Sequence, residues 1–363
     1  MAEFLGLGLT HYPPLAGTDE KMAFILQFTL ADPDIPAEHK DPASWPELMR
    51  TEWADDMGAA AAAGHRKQLR EGLSACRRAL DEFKPDIVVV WGDDQYENFR
   101  EEAVPPFCIL AYEDTEVQPF KLLSGMGLPN AWGADDDTSF TMRMDSKAAR
   151  KLADDLIRSD FDMAYSYKQL GPKFPHAIGN TQLFLDYDNH GQKFPYKILP
   201  ITVNSYGEHV ISRHGGLATF GQIKTEQLDP VGPSPKRCFD LGAAVVRSFQ
   251  DTDMRVALVA SSSWSHAFLV DKNWHLRPDT ESDRRLYDAL VARDWDTWTT
   301  TTAKDIVEAG QQEMLLWFCL AGAMNELDMP LTWSEFVQTD AFNSNKCFAI
   351  FSPEGSADRK DPA

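Results

Sequence analysis

The sequence feature that most constrains the fold is the apolar run at residues 87–90 (IVVV), which is bounded by Pro85 and Gly92. Four β-branched residues between turn-forming residues are typical of a strand that is buried on both faces of a parallel sheet. A mostly polar run at residues 93–98 follows this strand directly. Ligands of open α/β sheets bind beyond the carboxyl ends of such strands, although a solvated turn would be equally polar. The segment predicts an α/β sheet and leaves both interpretations of its polar end open.

Strand and helix patterns alternate along the rest of the chain. Apolar runs predict further strands at residues 4–10, 107–111, 161–165, 197–203, 255–260 and 346–351. Helical spacing of apolar residues predicts helices at residues 55–83, 146–159, 238–249, 284–291 and 302–323. This alternation indicates an α/β fold whose central sheet is mostly parallel or mixed, with helices on both faces. We expect a single α/β domain over residues 1–352 with long loops at 31–53, 113–141 and 205–235, and a mobile tail at 353–363.

Charge and cysteine content exclude several classes of protein. The chain has 56 acidic and 35 basic residues and a net charge of −21, which argues against binding to nucleic acids or to anionic membranes. Its five cysteines are widely separated and form no CxxC pair, as expected for reduced thiols in a cytoplasmic protein. The sequence shows no signal peptide and no run of about 18 apolar residues, so we expect no membrane span.

Three of the nine histidines fall where a sheet of this kind places a site. His11 follows the first predicted strand, and His266 follows the strand predicted at residues 255–260. His65 lies in the helix before the strand at 87–90, and the N-terminal part of such a helix lies near the carboxyl end of the strand that follows. Each histidine taken alone is more often an ordinary core or surface residue. Because parallel strands end at one edge of the sheet, we expect these three to converge.

Two neutral imidazoles and one carboxylate form the facial arrangement that suits non-haem Fe(II). The imidazoles bind the metal, the carboxylate lowers the net charge, and the open positions accept substrate and O2. A further histidine that does not bind metal would be free to transfer protons near neutral pH.

A series of short motifs extends over most of the chain in a fixed order. They are His11-x-Pro13, VVVWGDD at 88–94, VPPF at 104–107, FDM at 161–163 followed by His176, PITVN at 200–204, KRCFDLG at 236–242, SSWSH at 262–266, EMLLW at 313–317 with AGA at 321–323, and Asn343. In this order they resemble the class III extradiol ring-cleavage dioxygenases, the superfamily of the protocatechuate 4,5-dioxygenase beta subunit.

The resemblance implies both a reaction and a set of site residues. It implies an enzyme that opens the ring of a vicinal-dihydroxy aromatic (a catechol, a gallate-type compound or a dihydroxypyridine) with O2 at a non-haem Fe(II). By the same resemblance, His11 and Glu313 are metal ligands. His266 is the catalytic acid/base, and His176 contacts substrate or O2. A homodimer is also expected from the family. Arg143, Lys168, Lys173 and Arg213 are candidates for pairing a substrate carboxylate, or are ordinary surface charges.

One position departs from the family pattern. Family members commonly place a second histidine ligand directly after Asp94, and this chain has Gln95 there. Gln is a poor ligand for iron, so we expect His65 to supply the missing imidazole. Weak coordination by Gln95 or Asp94, a ligand role for His209, and loss of the metal remain open as well. If His65 is a ligand, His65→Ala abolishes iron retention.

Two further classes of function stay open at the level of sequence. A cluster of His, Asp and Glu on the same scaffold would also suit a zinc-dependent hydrolase. The substitution at Gln95 would also suit a non-catalytic subunit that has kept the fold.

Overall fold

A computed structural model describes residues 1–223 and 225–353 of the chain. Within these residues the strands are β1 (Glu3–Leu9), β2 (Ile87–Asp93), β3 (Phe107–Leu110), β4 (Thr115–Val117), β5 (Phe140–Met142), β6 (Ala164–Ser166), β7 (Ile198–Val203), β8 (Arg255–Ser261), β9 (Leu331–Val337) and β10 (Lys346–Phe351). The α-helices of the same residues are α1 (Phe24–Ala31), α2 (Ala37–Lys40), α3 (Glu47–Trp53), α4 (Ala59–Phe83), α5 (Lys121–Gly125), α6 (Ser146–Arg158), α7 (His176–Leu185), α8 (Phe220–Ile223), α9 (Pro235–Phe249), α10 (Thr280–Ala292), α11 (Trp295–Thr300), α12 (Ala303–Glu308) and α13 (Met314–Glu326).

Eight strands of the described residues form one mixed sheet in the order β6-β3-β7-β2-β8-β1-β10-β9, and β4 pairs separately with β5. The four central strands β7, β2, β8 and β1 run parallel, so that their carboxyl ends share one edge. The outer strands β3 and β10 join this group in the antiparallel direction. The predicted α/β class with a mixed central sheet is therefore confirmed.

Helices cover both faces of this sheet, as the sequence predicts. Every residue of β2 is buried, and its side chains alternate between two apolar layers. Val89 and Trp91 pack on the side of α9 and α13, whereas Val88 and Val90 pack on the side of α4 and α7. A strand without a solvated face has no polar alternation, which explains the continuous apolar run in the sequence.

Several predicted boundaries are wrong. The loop expected at residues 31–53 contains α2 and α3, which begin directly after Pro36 and Pro46, and the loops at 113–141 and 205–235 also contain short elements. The helix expected at residues 302–323 is two helices, α12 and α13. Gly310 separates them with a φ of +63°, a left-handed conformation that favours glycine. The sequence does not predict β9, because the partly exposed edge position of this strand gives no apolar run.

The single-domain prediction stays a prediction, and the predicted mobile tail lies, apart from Pro353, outside the described residues. Among residues 1–223 and 225–353, no helix combines the length and the apolar character needed to cross a lipid bilayer. All five cysteines are buried free thiols.

Two glycines allow the backbones of α9 and α13 to approach closely under the sheet. A Cβ added at Gly242 would lie 1.7 Å from the Cys319 carbonyl oxygen, and one added at Gly322 would lie 1.8 Å from the Phe239 carbonyl oxygen. Because these contacts are with backbone atoms, a side chain at either position would force the helices apart. The contact fixes α13, whose N-terminus carries Glu313.

Gly242→Ala is therefore expected to destabilise the protein by about 1–3 kcal/mol, the usual range for overpacking a buried contact. Gly64→Ala is the matched control, since nothing lies within 4 Å of the added Cβ in the middle of α4. Alanine is the better helix former, so the control should gain a few tenths to about 1 kcal/mol. Denaturant unfolding measures both changes. Equal stability of the two variants would contradict the close helix contact.

Candidate metal centre

Three segments of the chain meet at the carboxyl edge of the parallel strands. His11 follows β1, Asp93 is the last residue of β2, and Glu313 immediately precedes α13. Leu9 of β1 lies in register with Ser261 of β8, so these two neighbouring strands end at the same level. Residues far apart in the sequence are thereby brought to one point of the sheet edge.

The side chains of His11, Asp93 and Glu313 form a group that could hold a metal ion. One ligand atom from each residue lies within 4.8 Å of the other two. His11 Nε2 lies 3.5 Å from Asp93 Oδ1 and 3.6 Å from Glu313 Oε2. All three side chains are buried. The structure thus brings together His11 and Glu313, two of the predicted ligands, and adds Asp93. The ligand roles themselves stay predictions.

The tautomer of His11 is set by a backbone contact. Its Nδ1 lies 2.6 Å from the Ser261 carbonyl oxygen, which only accepts hydrogen bonds, so Nδ1 carries the proton. The lone pair is therefore on Nε2, the atom that faces both carboxylates. Burial lowers the pKa of His11 well below its usual value, and the nearby His176 lowers it further. A neutral imidazole oriented through its other nitrogen is the usual state of a histidine metal ligand.

The two carboxylates of the group lack the partners that buried charges require. Within the described part of the chain, both oxygens of Asp93 and Oε2 of Glu313 lack a hydrogen-bond partner. Burial raises the pKa of Asp93 to about 6, and burial together with Asp93 raises the pKa of Glu313 well above its usual value. An uncompensated buried charge is costly, and a bound cation removes that cost. Donor set and electrostatics therefore both fit a divalent metal.

Glu313 is held in place through its other oxygen. Tyr206 donates a hydrogen bond of 2.7 Å from its hydroxyl to Glu313 Oε1, and Gln95 Nε2 lies 3.4 Å from the same atom. These contacts leave Oε2 directed towards His11. Gln95, which occupies the family's usual histidine position, thus contacts a candidate ligand through its amide nitrogen.

His65 does not belong to the ligand group of the described residues, and this part of the sequence-based hypothesis is corrected. Its ring stacks on Phe342 at 4.9 Å and contacts Tyr12 edge-on. The helix lies where the sequence predicts it, but α4 packs beneath β1 and β10, in the layer opposite to α13. His65 therefore faces that layer instead of the edge of the sheet.

Asp94 and His209, the remaining candidates for the missing ligand, are also engaged elsewhere. Asp94 accepts hydrogen bonds from the backbone N–H groups of the three residues 97–99 and so caps the turn after β2. His209 contacts Glu226 through Nδ1 at 2.9 Å.

Asp93 is the one member of the group that sequence reasoning missed, because the family pattern points to the position after Asp94. The alternation of side chains between the two faces of β2 could have indicated Asp93. Trp91 packs on the side of α13, so Asp93 points to that side as well, where Glu313 begins the helix.

His266 lies beside the group and is not part of it. Its Nε2 is 3.5 Å from Glu313 Oε1, and its Nδ1 finds no hydrogen-bond partner among the described residues. Burial and the nearby Lys346 lower the pKa of His266 to about 3. The imidazole is therefore neutral, and its Nε2, beside Glu313, is the atom placed for the predicted role in proton transfer.

His176 is the first residue of α7. Glu97 holds it twice, accepting a hydrogen bond from its backbone N–H at 3.0 Å and contacting Nδ1 at 3.0 Å. Burial opposes protonation of His176, but the charge and hydrogen bond of Glu97 outweigh it and raise the pKa to about 9. The ring meets His11 edge-on at a centroid distance of 5.1 Å. The structure thus brings His176 to the group as well.

A cavity of about 310 Å³ opens onto these residues. Its wall includes His11, Glu313, His266, His176 and Asn343, together with apolar and cationic side chains: Phe24, Ile25, Leu122, Met126, Val210, Leu217, Phe268, Arg100, Lys173 and Arg213. Lys173 and Arg213, two of the candidates for pairing a carboxylate, line the cavity. Arg143 instead donates to the Pro195 carbonyl, and Lys168 is exposed elsewhere.

Comparison with known proteins supports the family resemblance. Residues 223–350 match the family model described as the catalytic LigB subunit of aromatic ring-opening dioxygenase. This segment contains His266 and Glu313. A 2,3-dihydroxyphenylpropionate/2,3-dihydroxicinnamic acid 1,2-dioxygenase of Comamonas testosteroni is 27% identical over 196 residues, which cover 54% of this chain and 48% of that protein. A homologous enzyme of Pseudomonas putida is 24% identical over 199 residues, which cover 55% of this chain and 49% of that protein.

The chain spans about half the length of the curated relatives it matches. A crystal structure of the uncharacterized protein JW3007 from Escherichia coli K12 aligns over 77% of this chain and 91% of that chain, at 11% identity and a TM-score of 0.42, which is too low to carry an argument. The family match and the named relatives confirm the resemblance predicted from the sequence. The chain is thus similar to the catalytic LigB subunit over residues 223–350 and to the named dioxygenases over about half of its length.

Proposed function

We propose that this protein is an extradiol dioxygenase that opens the ring of a vicinal-dihydroxy aromatic compound with O2. The observation that carries the proposal is the buried group of His11, Asp93 and Glu313, with His266 beside it, at the wall of one cavity. The match to the catalytic LigB subunit supports the reaction class. A non-catalytic subunit would leave the proximity of His266 and His176 to the same cavity without a role.

Fe(II) is the metal proposed for His11 Nε2, Asp93 and Glu313 Oε2. This set has one imidazole and two carboxylates, where the usual facial set has two imidazoles and one carboxylate. The second carboxylate makes the site harder and more anionic, and the unpartnered oxygens fit a divalent cation. When bound, iron would supply a template for both hydroxyl oxygens of the substrate and would activate O2.

The protein's own residues would bind the substrate, orient it and move its protons. His266 Nε2 lies 3.5 Å from Glu313 Oε1, where it would accept a proton from a substrate hydroxyl and later return it. His176, held by Glu97, lies edge-on to His11 in the cavity wall, where it would donate to substrate or O2. The apolar wall of the cavity excludes water from the reacting ring.

The cavity also supports a substrate that carries an acidic side chain. The relatives are named for 2,3-dihydroxyphenylpropionate and 2,3-dihydroxicinnamic acid, both of which carry a carboxylate. Lys173 and Arg100 lie in the cavity wall and supply the complementary charge. We therefore propose a catechol with a carboxylate-bearing side chain as the substrate class.

Protein loaded anaerobically with Fe(II) is expected to take up one O2 per diol and to produce a yellow ring-opened product. The panel should contain 2,3-dihydroxyphenylpropionate, catechol, gallate and a dihydroxypyridine, with the zinc-loaded protein as the matched control. Oxygen uptake and absorbance measure turnover. Activity of the zinc form alone on an ester would favour the hydrolase, and failure to bind any metal would favour the non-catalytic subunit.

A further inference from the structure

A buried carboxylate outside the ligand group connects the segments that carry the site. Asp283 lies on α10, a helix that contributes no residue to the cavity wall, and its side chain is fully buried. It contacts three separate parts of the chain through nitrogen donors. Its role is not explained by the metal group, from which it is separated by these segments.

The first contact of Asp283 is with the turn before His266. The backbone N–H of Ser265 lies 3.0 Å from Oδ1 and 3.1 Å from Oδ2 of Asp283. The second contact is with the turn before Glu313, where Gln311 Nε2 donates to Oδ1 at 2.6 Å. The two turns also bind each other, since the His266 backbone N–H donates to the Gly310 carbonyl at 2.8 Å.

The third contact is with the segment before β10. Asn345 Nδ2 donates to Asp283 Oδ2 at 2.8 Å, and Asn345 lies two residues after Asn343 in the cavity wall. Burial raises the pKa of Asp283 to about 7, while the donors from Gln311, Asn345 and Ser265 favour its charged form. All contacts come from N–H groups, so only a carboxylate matches every one of them.

We propose that Asp283 is a positioning residue that fixes His266 relative to Glu313. The inference rests on the proposed function, because His266 must reach a substrate bound beside Glu313. The distance between His266 Nε2 and Glu313 Oε1 is 3.5 Å, and Asp283 is bonded to a residue within two positions of each. Misplacing a reacting group by about 1 Å costs on the order of 100-fold in rate.

Asp283→Asn replaces one acceptor oxygen by an NH2 group, which then faces N–H donors and cannot bind them. We expect this variant to lower kcat about 10- to 100-fold, with KM changed less than about threefold. Gln311→Glu alone brings two carboxylates together and should give a similar loss. The double variant Asp283→Asn/Gln311→Glu exchanges donor and acceptor across the 2.6 Å contact and keeps the total charge. It is expected to recover kcat to within about fivefold of the wild type. Asp288→Asn, an exposed position on the same helix, is the matched control.

Affinity for Mn(II), titrated without substrate, gives a second measurement that does not depend on activity. Asp283→Asn is expected to weaken Mn(II) binding about 10-fold through displacement of Glu313. If Asp283→Asn fails to fold, Gln311→Met takes its place in the test. This variant removes one donor only and should give smaller losses of kcat and of Mn(II) affinity. Wild-type kcat per metal-bound molecule and unchanged Mn(II) affinity in either variant would overturn the positioning role. If the wild type opens no diol, the proposed reaction fails, and the Mn(II) affinities alone decide the positioning role.

Discussion

Asp93→Asn is expected to abolish metal retention, whereas His65→Phe retains the metal at the wild-type level. The Asn variant keeps the shape of the side chain but replaces one carboxylate oxygen by a nitrogen that binds metal poorly and removes a negative charge. Changing a residue that only supports a ligand already costs about 10- to 100-fold in metal affinity. Loss of a ligand should therefore exceed that range. Iron content after anaerobic loading and gel filtration measures the difference.

The two substitutions form a matched pair because both sites are buried. His65→Phe removes the imidazole and preserves the ring that stacks on Phe342. Neither variant should unfold, since Asp93→Asn removes a buried charge and His65→Phe removes an imidazole whose Nε2 has no partner among the described residues. Thermal melting of the metal-free proteins checks this. Loss of iron from His65→Phe with full iron content in Asp93→Asn would reinstate His65 as the ligand.

His266→Phe is expected to lower kcat by about 100- to 10,000-fold while the metal stays bound, because general acid–base catalysis contributes a rate factor of this size. The phenyl ring fills the same space beside Phe268 but has no nitrogen to accept or return a proton. Because His266 lies 3.5 Å from Glu313 and outside the ligand group, metal affinity should change little.

Single-turnover kinetics separate this effect from weaker binding. Diol binding to the anaerobic, iron-loaded variant should stay near the wild-type affinity, and only the subsequent reaction with O2 should be slow. Turnover within a factor of two of the wild type would remove His266 from the proton-transfer role. Loss of iron in parallel with activity would instead make His266 a support for Glu313.

The fold is largely readable from the sequence because its strongest signals are local. The apolar runs that form β1, β2, β7, β8 and β10 are buried on both faces, and a strand without a solvated face requires such a run whatever surrounds it. Weaker local signals fail. The edge strand β9 and the short helices α2 and α3 have little apolar periodicity, so their existence depends on the surfaces they pack against.

The candidate site divides in the same way. The sequence by itself placed His11 and His266 after strands, and the family motifs added Glu313 and His176, all of which reach one cavity. Only the tertiary structure brings Asp93, in place of His65, to His11 and Glu313. His65 and Asp93 are both buried. His65 stacks on Phe342 in the layer of α4, whereas Asp93 shares the face of β2 with Trp91, which packs in the layer of α13. Which layer α4 occupies depends on long-range packing, and no local pattern encodes it.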